Sequence, residues 1–86
     1  MDFGFTIYPN PFTSATTFKY ALDEPVQVNL RIYDSHGRLL AEPVNTFLQK
    51  GEQKVEWKAD DLPAGVYYLR LQAGDNLTTT KILKIY

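Results

Sequence analysis

The residues of this chain that could do chemistry are few, and they cluster in turns. His36 is the only histidine, and Asp34 and Ser35 precede it directly. A catalytic triad needs a serine, a histidine and a carboxylate in a defined mutual geometry, which neighbours in one tight turn rarely reach. Asp and Ser hydrogen-bond to their own backbone in turns, and Gly37 supplies a positive φ. We therefore predict a hairpin turn here and no catalytic site.

Asp60 and Asp61 are adjacent carboxylates whose types could suit a site. Two carboxylates could serve glycoside hydrolysis or bind calcium. However, a glycosidase needs two separated carboxyl groups in a cleft, and a domain of 86 residues has little room for one. No Asp-x-Asp-x-Asp-Gly loop is present either. We interpret the pair as solvated turn residues and predict neither a cofactor nor a metal site, with a single surface calcium ion left open.

Three aromatic residues could form a platform for sugar. Trp57 shares a strand face with Val55, so we predict that it belongs to the core. Tyr33 and Tyr68 lie on the polar faces of their strands. They are candidates for an exposed patch, and cross-strand packing is the alternative.

Composition excludes several classes of protein. The formal net charge is −1 with scattered Lys and Arg, which argues against nucleic-acid binding. Cysteine is absent, so disulfides, thiolate metal sites and cysteine nucleophiles are excluded. No apolar run approaches the roughly 18 residues that span a bilayer, and no signal peptide is recognisable at the start. Met1 could be an expression start, in which case the chain is a module of a longer protein.

Hydrophobic periodicity predicts strands and no helix. Val28, Leu30 and Ile32 alternate with polar residues, as in a strand with one buried face. Similar alternation occurs around Phe18, Val55 and Leu69, and the segment Leu77 to Tyr86, which is rich in Thr and Ile, is typical of a last strand. Residues 38–48 are the least clear: their apolar residues could form a helix turn, but Pro43 favours an interrupted edge strand there. Strands spaced in this way, with turn residues between them, indicate an all-β sandwich or barrel. We predict one domain over residues 6–86 after a flexible lead or expression remnant at residues 1–5.

The last predicted strand carries Lys81 and Lys84 within an apolar run. Lysines commonly protect an edge strand against edge-to-edge pairing. The alternative is a strand presented to a partner, in which free backbone groups give affinity and side chains give specificity. An exposed edge would also permit a dimer.

Four segments in order resemble the C-terminal sorting domain of the type IX (Por) secretion system, type A. The chain resembles that family from Tyr8 to Tyr86, nearly its whole length. The matching segments are Tyr8-Pro9-Asn10-Pro11-Phe12, Ile32-Tyr33-Asp34 with Gly37-Arg38, Gly65-Val66-Tyr67-Tyr68, and Lys81 to Tyr86.

The resemblance implies an immunoglobulin-like Greek-key β-sandwich of about seven strands in two antiparallel sheets. It implies a secretion signal, not an enzyme, that directs an N-terminal cargo domain through the outer-membrane translocon, with removal by a surface sortase. The expected route is periplasm, then outer-membrane surface or exterior, with no nucleic acid or small-molecule substrate. The candidate recognition residues are Tyr8, Pro9, Asn10, Pro11, Gly37, Gly65, Val66, Tyr67, Lys81 and Lys84.

Other functions stay open at this point. The chain could be a structural or carbohydrate-binding immunoglobulin-like module of a surface enzyme, or a domain of the flagellar hook-capping type. A sorting domain should end its protein, so a gene continuing well past Tyr86 would count against the sorting hypothesis.

Overall fold

The structure is a computed structural model that describes residues 4–85. Residues 1–3 of the predicted lead, and Tyr86 at the end of the predicted last strand, lie outside the described residues. Seven strands follow one another in the described part. Their bounds are β1 Thr6–Tyr8, β2 Ala15–Leu22, β3 Val26–Asp34, β4 Leu39–Leu48, β5 Gly51–Lys58, β6 Gly65–Ala73 and β7 Asn76–Lys84.

The strands form two antiparallel sheets, which confirms the predicted all-β, immunoglobulin-like sandwich. One sheet has three strands in the order β1-β2-β5, and the other has four in the order β4-β3-β6-β7. Every adjacent strand pair is antiparallel. Residues 4–85 contain no helix long and apolar enough to cross a membrane.

The core lies between the sheets, where the period-two alternation of the sequence places it. Val28, Leu30 and Ile32 of β3 are fully buried. Trp57 is confirmed as a core residue, because its ring lies 5.8 Å from that of Phe12 and 5.9 Å from that of Tyr67. Burial of these apolar side chains is the main contribution to the stability of so small a domain.

The four-stranded sheet has two edges of different character. At one edge, the β3–β4 register shifts between Leu30 and Tyr33, close to Pro43, which has no N–H to donate. The predicted interrupted edge strand is thereby confirmed as β4. At the other edge lies β7, whose described residues show no such irregularity in pairing with β6.

Candidate functional site: the edge of the terminal strand

Asp34, the last residue of β3, accepts hydrogen bonds from the turn that follows it. Asp34 Oδ1 accepts the N–H groups of His36 at 2.8 Å and Arg38 at 3.0 Å, and Oδ2 accepts Arg38 Nε at 2.7 Å. These donors, chiefly the Arg38 N–H, lower the pKa of Asp34. Gly37 has φ +85°, which favours glycine. The predicted hairpin turn is confirmed. Among residues 4–85, no three His, Cys, Asp or Glu side chains lie close enough to hold a metal ion.

The Tyr-Pro-Asn-Pro segment links β1 to β2 and contacts the far end of the chain. Asn10 Oδ1 accepts the N–H of Leu83 at 3.1 Å, across 73 residues of sequence. Pro9 O accepts the hydroxyl of Thr16, which is buried, at 2.7 Å. Both Xaa–Pro bonds of the segment are cis. Tyr8 is 42% exposed, and Pro11 is also exposed.

Phe12, next along the chain, completes this contact. Its N–H donates to Leu83 O at 3.0 Å, and its carbonyl accepts the N–H of Ile85 at 2.9 Å. Phe12 thus makes a parallel bridge to Lys84 while its ring is buried in the core. We call this set of contacts between Asn10, Phe12, Leu83 and Ile85 the clamp. It ties the opening motif of the domain to its terminal strand.

The rest of the β7 edge has no partner strand. Because outward backbone groups alternate along an edge strand, the outward bonds of Leu83 and Ile85 place Leu77, Thr79 and Lys81 on the same outward side. β7 is the last strand of its sheet, so no described strand pairs with these groups. We call Leu77–Lys81 the open segment. It is the one part of β7 that could receive a further strand.

The two candidate lysines are in different environments. Lys81 lies in the open segment and is exposed. Lys84 is 5% exposed, on the same strand face as Ile82, which is fully buried. Lys81 is therefore the more exposed of the two candidate lysines, and a recognition role for Lys84 stays a prediction. The alternation with Leu83 could have revealed the burial of Lys84, since it puts Lys84 on the face of Ile82.

The Gly65-Val66-Tyr67 segment lies beside the clamp at the start of β6. Gly65 pairs with Lys84 and has φ +151°, a conformation that favours glycine. Val66 pairs with Leu83 and is half-buried. Tyr67 is buried, and its hydroxyl donates to Pro63 O, four residues upstream.

The hydrogen bond of Tyr67 is a tyrosine corner, as found in immunoglobulin-like domains. Burial, together with the charge of Asp34, raises the pKa of Tyr67, so the hydroxyl stays protonated and donates. This role was not predicted from the sequence. A tyrosine four residues after a turn proline, Pro63, is the pattern that could have indicated it. These contacts give Tyr67 a structural role.

The remaining aromatic candidates face outward from the four-stranded sheet. Tyr33 and Tyr68 are direct cross-strand partners on β3 and β6. Tyr68 is 37% exposed and Tyr33 is half-buried. They form a cross-strand pair that also contributes to the outer surface.

A search of curated proteins found no relative of the chain. The family model for the secretion system C-terminal sorting domain matches residues 6–85, which include the clamp, the open segment and the tyrosine corner. A sorting domain of this family is carried by a cargo protein that the type IX machinery exports across the outer membrane to the cell surface or beyond. The chain belongs to the family of C-terminal sorting domains of the type IX secretion system.

Proposed function

We propose that the type IX machinery recognises the folded domain at the open segment of β7, by adding a strand of its own to that edge. Strand addition uses backbone hydrogen bonds for affinity and alternate side chains for specificity. The outward N–H and C=O groups of Leu77, Thr79 and Lys81 would supply the backbone bonds. The exposed Lys81 would supply a charge.

The contrast along the β7 edge carries this proposal. Its C-terminal end already has hydrogen-bond partners in Asn10 and Phe12, whereas the open segment has no neighbouring strand. The sequence of the open segment also lacks the features that protect edges, except for Lys81 at its end. It contains no proline, and Thr78, Thr79 and Thr80 are β-branched, a type that suits strands.

The clamp makes recognition depend on folding, because it joins residues 73 positions apart. We therefore propose that the domain folds in the periplasm and is read there before its cargo crosses the translocon. We further propose that a surface sortase then removes the domain, and that the domain itself has no catalytic activity. Family membership supports the route and the processing. The engagement of Asp34 within its turn supports the absence of a triad.

A secretion assay tests the sorting function. The 86-residue chain is fused to the C-terminus of a folded fluorescent reporter that carries an inner-membrane export signal. The fusion is expressed in a type IX-competent strain and in a translocon-deficient strain. We expect reporter at the surface or in the medium in the competent strain alone. Periplasmic retention in both strains would contradict the proposal.

Two variants of Thr79 test the edge. Proline is tolerated in an edge strand where its missing N–H faces outward, so Thr79→Pro should fold while blocking strand addition. Thr79→Val keeps the N–H and is the matched control. We expect Thr79→Pro to lower export about tenfold or more. The reason is that losing a backbone contact worth about 1.4 kcal/mol of binding free energy weakens binding tenfold. Equal export of two folded variants would exclude recognition at this edge.

The same edge could pair with a second copy of the chain. Analytical ultracentrifugation of the wild type and Thr79→Pro distinguishes the two uses. A dimer that disappears in Thr79→Pro would show self-pairing through β7. Sedimentation of the domain with an insoluble polysaccharide would instead favour the carbohydrate-binding alternative, with Tyr33 and Tyr68 as the contact.

A further inference from the structure

The two outer faces of the sandwich differ in chemistry. Seven large hydrophobic residues are exposed in the described part of the chain, and six of them lie on the four-stranded sheet or directly after β7. These six are Leu39, Phe47, Tyr68, Leu77, Leu83 and Ile85. The outer face of β5, by contrast, carries the charged residues Glu52, Lys54, Glu56 and Lys58, all exposed. The outer face of the four-stranded sheet, which adjoins the open segment, is therefore the more apolar of the two.

The charges on the outer face of the four-stranded sheet are also unbalanced. Its strands carry Arg31, Arg70 and Lys81 against a single carboxylate, that of Glu42. Arg31 binds Glu42 through its Nε at 2.5 Å, and this contact raises the pKa of Arg31. Among residues 4–85, neither Arg70 nor Lys81 makes an ion pair. The face therefore has two cations without an acidic partner.

The β-sheet register places these cations beside the open segment. Arg70 is the direct partner of Arg31 on one side and of Thr79 on the other. Like charges directly opposite each other are destabilising, so the Arg31–Arg70 pair has a cost within the domain. Lys81 is the direct partner of Tyr68. Thr79 and Lys81 both point to this outer face, two residues apart on one strand.

We propose that the strand received by the open segment is acidic, with carboxylates opposite Thr79 and Lys81. This inference rests on the proposed sorting function, because it takes the strand to belong to the type IX machinery. Two strand spacings, about 9.5 Å, separate Arg70 from the residue opposite Thr79. The threonine between them is short, so an arginine and a glutamate side chain can meet across it. A second carboxylate would lie directly beside Lys81.

Charge complementarity restricts which partner sequences can bind, whereas the backbone of the β7 edge alone does not. Backbone pairing at the open segment would accept any extended strand. The unpaired Arg70 and Lys81 select against basic strands and favour acidic residues at every second position. The intervening residues of the partner would point toward the opposite side, beyond Thr78 and Thr80, and need not be charged.

A peptide titration tests the charge requirement without the secretion machinery. The ¹⁵N-labelled 86-residue chain is titrated with an eight-residue peptide of alternating valine and glutamate, capped at both ends. The control peptide alternates valine and lysine. We expect the glutamate peptide to shift the amides of Leu77, Thr79 and Lys81 together with Arg70 Nε–H. Absence of these shifts, or equal binding of both peptides, would overturn the proposal.

Matched variants locate the charge contact. Arg70→Gln should weaken binding of the glutamate peptide about tenfold, as expected for the loss of a charge-assisted hydrogen bond. Arg70→Lys should weaken it less. Lys54→Gln, on the outer face of the other sheet, should leave it unchanged. If Arg70→Gln and Lys54→Gln behaved alike, the assignment of the carboxylate to Arg70 would be wrong.

Export of the reporter fusion separates failure of this inference from failure of the sorting function. We expect Arg70→Glu to reduce export about tenfold or more and Lys54→Glu to leave it near the wild-type level. Export that requires the translocon but is insensitive to Arg70→Glu would keep the sorting function and overturn the acidic partner. Peptide binding that depends on Arg70, without export of the wild type, would keep the acidic site and overturn the sorting function.

Discussion

The two ends of β7 have the same backbone conformation and different uses. The C-terminal end pairs with β6 on one side and with Asn10 and Phe12 on the other. The open segment, Leu77–Lys81, pairs with β6 alone. The motif at the start of the domain and the strand at its end therefore form one structural unit. Together they divide β7 into a C-terminal end that stabilises the fold and an open segment that is available to a partner strand.

The division also explains why β4 is the poorer candidate for recognition. β4 lies at the opposite edge of the same sheet, but Pro43 removes one donor and the register shifts nearby. Glu42 is held by Arg31 and by Asn45. Irregular pairing of this kind discourages addition of a further strand. Of the two edges, β7 is the regular one.

The largest effect should follow removal of the ring that anchors the clamp. Phe12 is 1% exposed and packs on Trp57. Phe12→Ala should lower the free energy of unfolding by about 3–5 kcal/mol, a large fraction of the total for a small domain. Urea denaturation followed by circular dichroism measures it.

Phe47→Ala is the matched control for Phe12→Ala. Phe47 is 58% exposed on β4, so its truncation should change the free energy of unfolding by about 0.5 kcal/mol or less. Similar losses in the two variants would mean that Phe12 contributes no more to the core than the exposed Phe47 does.

A lysine from each end of β7 should separate stability from export. Lys84 is buried, so Lys84→Ala should lower the free energy of unfolding by about 1–3 kcal/mol through loss of its packed stem. Lys84→Met keeps most of that stem and should recover part of the loss. Lys81→Ala should leave stability within about 0.5 kcal/mol and reduce export of the reporter fusion.

The measurements for these lysine variants are thermal unfolding and secreted reporter, normalised to the folded fraction. A stable Lys84→Ala variant that is not exported would give Lys84 a recognition role after all. Normal export of Lys81→Ala would remove Lys81 from the contact surface and leave backbone pairing alone.

A smaller effect is expected at the side chain that holds Leu83. Asn10→Ala removes the acceptor of the Leu83 N–H and should cost about 1 kcal/mol, whereas Asn10→Asp retains an oxygen acceptor. Hydrogen exchange gives a local measurement. The Leu83 amide should exchange about fivefold faster in Asn10→Ala, while the amide of Thr80, which faces β6, should not change. Equal acceleration at both amides would show that the two ends of β7 open together.

The fold could be predicted because its determinants are local. Alternation in β3 alone identifies which side chains are buried, and Val28, Leu30 and Ile32 are indeed fully buried. Pro43 identifies the interrupted edge for a comparable reason, since a missing N–H is a property of the residue itself. Both signals are independent of how the strands are arranged.

The site could be predicted only in part, because its geometry depends on distant contacts. No local pattern indicates that Asn10 meets Leu83 or that Phe12 bridges to Lys84. The motif residues were identified through their resemblance to a family, as candidate recognition residues without a stated contact. Arg70 was not singled out at all, because its opposition to Arg31 exists only once β3 and β6 pair.

The smallest expected effect compares two buried tyrosine hydroxyls, one near the clamp and one remote from it. The Tyr67 hydroxyl donates to Pro63 O, whereas the Tyr20 hydroxyl has no hydrogen-bond partner among the described residues. Tyr67→Phe should therefore lower the free energy of unfolding by about 0.5–1 kcal/mol. Tyr20→Phe removes a buried polar group without breaking a bond, so stability should stay the same or rise.

The two tyrosine variants share the same chemical change, so their difference isolates the hydrogen bond of the tyrosine corner. Burial raises the pKa of both hydroxyls, so neither ionises near neutral pH and charge does not enter the comparison. Since Tyr67 pairs with Ile82 of β7, loosening it should also speed hydrogen exchange at the clamped end before the open segment. If Tyr20→Phe were the more destabilised variant, the corner would not hold this end of the sheet, and the clamp would stand on Asn10 and Phe12 alone.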